Sequence, residues 1–412
     1  MTASTAPANP NYGVFSLPVI VAALGYFVDI YDLLGFNVVR MTSLRDIGVA
    51  EADLFSVGIS IVNTQLIGLL IGGLLFGVLG DKIGRTRLLF LSIIVYSGAT
   101  LANAMVHDVT MYKLCRFVAG LGLAGELGLA MTLVSEVMAK EKRGYGTALV
   151  AGFGISGAVA AAIVAKYVDW RAFYAIGSIM GFLLLLLRMR VRESFIFLNQ
   201  IQDDTRGSLK LMFSSTSRIK RVVLCMMLGA PVYFVVWFLA PFVPEISKAL
   251  GAETQYPAGD AILYSALGLA AGDFIAGCAC QWFRSRRKVI GVFMGAAFLL
   301  CGYFFLAPHS QTHLFYSVML FAMGFAAGFF AVVVAIAAEI FGTNLRATAA
   351  TSIPNFMRAT FIAISTSVNY LRVDMGLIPA VTLVGAVTFI LGFIAIYVIH
   401  ESFGCDLNYR EE

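Results

Sequence analysis

The chain has 412 residues, 59% of them hydrophobic and only 13% charged. Soluble globular domains run at roughly 45–50% apolar and about 25% charged, so this composition excludes one and indicates an integral membrane protein. The net charge of +5 is spread unevenly, and its placement carries more information than its size.

Apolar segments of spanning length recur near 14–40, 55–79, 88–106, 111–138, 144–167 and 171–190. They resume near 219–247, 259–283, 289–307, 313–341, 347–371 and 376–399. That makes about twelve spans, each near or above the roughly 20 residues a helix needs to cross a bilayer. With no water to satisfy the backbone, bundled helices are the form expected of them. The polar stretch 191–218, with Asp203, Asp204, Arg206 and Lys210, divides them six and six. The expected organisation is an N-terminal half over 1–190, a cytoplasmic linker over 191–218 and a C-terminal half over 219–412.

Charges inside spans are costly and mark functional positions. Span 1 carries Asp29 and Asp32, three residues apart and so on one helix face. Counted from residue 15, Asp29 lies roughly 21 Å along the helix, beyond mid-depth. Close carboxylates in a low dielectric resist double ionisation, which suits a proton carrier. The same pair could instead serve as helix-fixing hydrogen-bond acceptors. Between spans 2 and 3 stands Gly77-x-x-x-Asp81-Lys82-x-Gly84-Arg85, too charged for hydrocarbon and too short for a wide loop. Asp81 and Arg85 can tie helix ends together there, or the turn can act only as a basic anchor.

Span 4 reads Arg116, then Gly120, Gly122 and Gly125-Glu126, a ladder that admits a neighbouring helix closely. Arg116 lies within the membrane and needs an anionic partner, for which the span 1 aspartates are candidates. Glu136 with Arg143 can form a cytoplasmic latch or a solvated pair. Span 7 holds Pro231, Pro241 and Pro244 around Tyr233 and Trp237. Prolines free carbonyls and bend helices, and the two aromatics can either line a path or pack. Asp273 in span 8 and Arg358 in span 11, beside Pro354-Asn355, both fall near mid-depth. A permanent guanidinium at that depth suits a carboxylate or phosphate ligand; the rival reading is a structural Asp273–Arg358 ion pair.

Basic residues give an orientation. Lys82, Arg85, Arg87, Lys140, Lys142, Arg143, Arg188, Arg190, Arg192, Lys220, Arg221, Arg284, Arg286, Arg287 and Lys288 share one side. The opposite loops hold only scattered cations such as Arg45, Lys113, Lys166, Lys248 and Arg372. Both termini are therefore expected in the cytoplasm. Gly277 to Lys288 repeats the basic loop of the first half, with Gln281 in place of the aspartate. A six-plus-six repeat is the build expected of a transporter with its site between the halves. The six cysteines lie mostly in apolar runs without metal spacing, so packing thiols and no metal site are expected. The polar N-terminus shows no basic region ahead of its first apolar run, so no cleavable signal peptide is expected.

The string Gly77-x-x-x-Asp81-Lys82-x-Gly84-Arg85 resembles the signature between helices 2 and 3 of the major facilitator superfamily. Arg116-Phe117-x-x-Gly120-x-Gly122-x-x-Gly125-Glu126, through Ser135-Glu136 to Lys142-Arg143-Gly144, is similar to its phosphate:proton and sugar-porter-like branches. So are Ala338-Glu339 to Arg346 and Arg192-Glu193-Ser194. Asp29-Ile30-Tyr31-Asp32-Leu33 is similar to the first-helix element of aromatic-acid, sialate/lactate and phosphate proton symporters. Leu127 and Ala151-Gly152 depart from the phosphate carriers. The absence of a Gly-Pro pair in span 5 departs from drug antiporters.

The resemblance implies an all-α membrane protein of two six-helix halves in a bacterial inner membrane. It implies proton-coupled symport of a small organic anion of carboxylate type by alternating access. Asp29, Asp32, Arg116 and Glu126 are the expected proton-handling residues. Arg358, Asp273, Tyr233, Trp237 and Asn355 are the expected substrate residues, and Asp81, Arg85, Glu136, Arg143, Glu339 and Arg346 the gating residues. An amino acid or other zwitterion, its ammonium on Asp273, is the alternative substrate. The proton is the coupling ion and no cofactor is expected. The expected partners are a small-molecule substrate and the lipid bilayer, with no nucleic acid, for a monomeric protein. An ATP-driven pump is excluded by the lack of a Gly-Lys-Ser/Thr phosphate loop. A sensor on the same fold would need a soluble domain, for which the 13 residues from His400 leave little room.

Overall fold

The computed structural model describes residues 15–83, 85–126, 143–189, 212–252, 255–306, 312–342 and 345–403, together with Gly13, Val134 and Met138. Among these residues there is helix and no strand. In chain order the helices are α1 (Leu17–Asp46), α2 (Leu54–Ile83), α3 (Arg85–Asn103), α4 (Val109–Leu123), α5 (Arg143–Val164) and α6 (Trp170–Arg188). Then come α7 (Thr216–Val232), a π-helical stretch (Tyr233–Leu239), α8 (Val243–Ala249), α9 (Ala258–Phe283) and α10 (Arg286–Leu306). The remainder are α11 (His313–Ala326), α12 (Phe330–Glu339), α13 (Arg346–Met375) and α14 (Leu377–Val398). Among the described residues, eight helical segments are long and apolar enough to cross a membrane.

Two spans are broken where the apolar pattern reads through. Span 7 passes from α7 into the π-helical stretch after Pro231 and turns before α8, because Pro231, Pro241 and Pro244 interrupt the ladder. Span 10 is two helices, α11 and α12, separated at Ala327–Phe329. Span 4, expected to run to residue 138, ends its helix α4 at Leu123 and turns at Ala124-Gly125. Residues 127–133 lie outside the described set.

Glycines set which helices lie against each other. A β-carbon at Gly68, Gly72 or Gly120 would fall 2.1–2.4 Å from backbone oxygens of the facing helix, so α2 and α4 touch backbone to backbone. Gly268, Gly272 and Gly324 repeat the arrangement between α9 and α11 at 2.1–2.2 Å. Small residues allow this approach in helix pairs that hydrophobicity alone cannot hold together in lipid. Helices from before and after residues 191–218 meet along α2 with α13 and along α5 with α9, and α1 reaches α9.

At one end of that seam Arg40 donates to the Pro241 carbonyl at 3.3 Å and pairs with Glu245 at 2.6 Å, its guanidinium stacked 4.1 Å over Phe242. Lys166 pairs with Asp260, and Asn63 exchanges hydrogen bonds with Thr366 and Ser365. All of these join α1, α2 or the turn after α5 to the later helices, on the side away from the Arg284–Lys288 turn. Removing one partner of a buried ion pair costs about 3–5 kcal/mol because the other charge is stranded. We therefore expect Arg40→Ala to open this end. Maleimide labelling of Ser365→Cys, in a background free of native cysteines, should rise at least tenfold; the added change Glu245→Ala should bring it part of the way back. Unchanged labelling in Arg40→Ala would refute the latch.

At the other end Glu401, just past α14, reaches back to the start of α10. The Glu401 carboxylate accepts from the backbone of Arg286, Arg287, Ser402 and Phe403 and from the Ser285 hydroxyl, capping α10. Burial opposes its charge, but these hydrogen bonds hold it below the usual carboxylate value.

Candidate functional site

The site is built from α1 outward. α1 is mostly buried and carries Tyr26, Asp29 and Asp32 on successive turns. The two aspartates do not share an environment. Asp32 accepts from Thr100 at 2.8 Å and from Arg116 at 3.3 and 3.4 Å. Arg116 is fully buried, donates also to Asn103, and stacks 4.8 Å over Tyr174. Asp32 is thus charge-paired, with hydrogen bonds from both Thr100 and Arg116. Asp29 is 0% exposed, and neither of its carboxylate oxygens has a hydrogen-bond partner among the described residues. The charges that act on it are Arg358, Glu126 and Asp32.

Arg358 enters from α13, on the far side of the seam from α1. It is 2% exposed, and it interacts with the Tyr233 and Tyr26 hydroxyls. Its Nη1 donates to Asn355 at 3.4 Å, and its Nε has no hydrogen-bond partner among the described residues. Tyr26 is placed by Gly154 of α5, where a β-carbon would sit 1.8 Å from the ring. Tyr233 packs 5.7 Å from Trp237 and edge-on to Phe330 at 6.1 Å. Trp237 also touches the cluster of Leu33, Leu69 and Ala124, so it bridges the two sets of helices. An orphaned guanidinium nitrogen, an orphaned carboxylate and an aromatic wall therefore share one buried region. That arrangement sets a buried cationic donor and a buried carboxylate on the two sides of the seam.

Other expected residues stand elsewhere. Glu126 forms a two-pronged pair with Arg188 at 2.8 and 2.9 Å, and both side chains are buried. Arg188, grouped in the sequence with the cytoplasmic loop cations, is therefore an interior residue at the end of α6; a β-carbon on Gly25 would sit 2.6 Å from its Nη2. Asp273 accepts from the backbone of Ala331 at 3.1 Å, and no Asp273–Arg358 ion pair occurs among the described contacts. Glu339 pairs with Arg286 at the start of α10. The side chains of Asp81, Arg85, Glu136, Arg143 and Arg346 lie outside the described residues. Tyr26, Thr100, Asn103, Arg40 and Glu245 were not singled out from the sequence. The two charges had a signal, since Arg40 closes the 14–40 run and Glu245 falls within 219–247.

The family model described as Major Facilitator Superfamily matches residues 12–366. The chain belongs to the Major Facilitator Superfamily. Among superfamily relatives, the niacin transporter NiaP of Acinetobacter baylyi is 30% identical over 182 residues, 43% of this chain and 40% of that protein. The 4-hydroxybenzoate transporter PcaK of Pseudomonas putida is 26% identical over 329 residues, 69% of each. The chain spans about half the length, or less, of the first curated relatives it matches. These relatives are named transporters, not enzymes. The inward-open xylose transporter XylE of E. coli superposes with a TM-score of 0.72 at 18% identity, over 94% of this chain and 97% of that one. At that identity the likeness speaks to the fold: a multi-pass bundle.

Proposed function

We propose that the protein is a proton-coupled symporter of a small carboxylate, most specifically a planar aromatic one, working by alternating access in a bacterial inner membrane. Twelve spans with both termini in the cytoplasm, as a monomer, complete the reading. The observation that carries it is the buried Arg358, lined by Tyr26, Tyr233 and Asn355 and acting across the seam on the orphaned Asp29. One guanidinium is offered two anions, Asp29 and the substrate carboxylate. When Asp29 carries a proton the guanidinium is released to the substrate; when the substrate leaves, Asp29 gives up its proton and takes the cation back. Such linkage is reciprocal, so proton and anion each favour the other's binding. The Tyr233, Trp237 and Phe330 rings supply a flat apolar wall suited to an aromatic ring. The names of the niacin and 4-hydroxybenzoate relatives agree with that substrate class.

The remaining roles follow. Arg116 balances Asp32 and keeps α1 and α4 in register, while Glu126 with Arg188 ties the end of α4 to α6. Asp81, Arg85, Glu136, Arg143, Glu339 and Arg346 make up the cytoplasmic gate, opposite the Arg40–Glu245 latch. A ligand at 100 times its Kd stabilises the folded state by about 2.7 kcal/mol, enough for a thermal-shift screen on purified protein. Nicotinate and 4-hydroxybenzoate should raise the melting temperature, while nicotinamide, without the carboxylate, should not. A shift produced by sugars or amino acids alone would overturn the substrate class.

A further inference from the structure

Asp273 is a charged residue in the interior of α9, and the coupling of proton to anion leaves it without a task. Its surroundings supply one. Span 10 is interrupted at Ala327–Phe329, so the second helix, α12, begins part-way along the span with first-turn N–H groups that lack an intrahelical acceptor. The side chain of Phe329, the residue at its N-cap, makes no capping hydrogen bond. The acceptor comes from another helix: Asp273 Oδ1 takes the Ala331 N–H at 3.1 Å. Gly328 makes the reach possible. A β-carbon there would stand 2.4 Å from the Gly272 backbone and 2.5 Å from the Asp273 nitrogen.

We propose that Asp273 is a positioning residue: it caps α12 from α9 and so holds Phe330 against Tyr233, the tyrosine that touches Arg358. The links run from the carboxylate to the Ala331 amide, from Phe330, the residue before it, to the Tyr233 ring at 6.1 Å, and from Tyr233 to Arg358 by the electrostatic interaction of hydroxyl and guanidinium. An acceptor is all the cap needs, and asparagine ranks with aspartate as a helix cap while alanine does not. Asp273 therefore acts as a hydrogen-bond acceptor, neither an ammonium partner for a substrate nor a carrier of the coupling proton. The link to the substrate rests on the proposed carboxylate transport; the cap itself does not.

The test compares Asp273→Asn and Asp273→Ala in the purified full chain. Deuterium exchange over residues 327–339 should be roughly tenfold faster or more in the alanine variant and near wild type in the asparagine variant. Equal protection in wild type and alanine variant, or equal loss in both variants, would overturn the cap. In proteoliposomes loaded for 4-hydroxybenzoate uptake, Asp273→Asn should keep pH-driven accumulation and its pH profile, while Asp273→Ala should raise KM. Loss of pH-driven accumulation in Asp273→Asn would overturn the assignment in favour of a proton carrier. If Asp273→Ala does not fold, Asp273→Asn alone decides between acceptor and charge. If wild type transports no carboxylate, the transport reading fails and the exchange comparison still decides the cap.

Discussion

Asp29→Asn is expected to abolish accumulation of substrate driven by a pH gradient while leaving exchange between two equal pools. Asp29 is fully buried, and neither oxygen is hydrogen-bonded among the described residues, so the group is not engaged in holding helices together. Asparagine keeps its shape and removes its proton chemistry. The variant would resemble the protonated state permanently, with Arg358 open to the substrate carboxylate at every pH. Asp32→Asn should behave differently. Its carboxylate neutralises the buried Arg116, and removing one partner of such a pair costs about 3–5 kcal/mol, part of which the amide oxygen restores. The expected signature there is a lower melting temperature together with reduced transport of every kind. Measured in proteoliposomes, undiminished pH-driven accumulation by Asp29→Asn would remove that residue from the proton path.

Arg358→Ala is expected to abolish substrate binding, and Arg358→Lys to keep a fraction of it. Truncating one member of a desolvated, hydrogen-bonded charge pair costs about 2–5 kcal/mol or more, which places the loss in Kd at roughly 30-fold to several thousandfold. Lysine restores the charge but not the planar fork, and it cannot serve Asn355, Tyr26 and Tyr233 in the same geometry. The double variant Asp29→Asn/Arg358→Ala separates two roles. If Arg358 only neutralises Asp29, removing both charges should return binding measured by calorimetry with 4-hydroxybenzoate. Restored binding would sink the assignment of Arg358 to the substrate.

Residue type and depth along the chain are enough to mark several of the buried charges around the candidate site. Asp29, Asp32, Arg116 and Arg358 stand out because charge in an apolar run is rare and costly. Sequence also suggests Arg116 with a span 1 aspartate, and the structure shows Asp32 as that partner. Spacing could not show that Asp29, one turn away, lies toward a different helix. Arg188 misleads because it sits at the end of its apolar run, where basic residues usually meet water; only packing reveals that Glu126 draws it inside. The break in span 10 is hidden because Gly324-Phe325-Ala326-Ala327-Gly328-Phe329 is apolar throughout, and hydropathy does not register a missing hydrogen bond. Arg40 and Glu245 do show in the sequence as charges at the ends of apolar runs, but their meeting across the seam does not.

The glycine contacts between α2 and α4, and between α9 and α11, bear on how the molecule can move. Backbones in contact leave no layer of side chains to slide or re-rotamerise, so each pair is a single stiff strut with few internal degrees of freedom. Rearrangement must then fall to segments whose ladders are already interrupted, namely the π-helical stretch at Tyr233–Leu239 and the junction at Ala327–Phe329. Both carry an aromatic ring of the proposed substrate wall at their edge. The division of labour is that of a linkage, with two rods and two pivots, and the Tyr233–Phe330 contact joins the pivots.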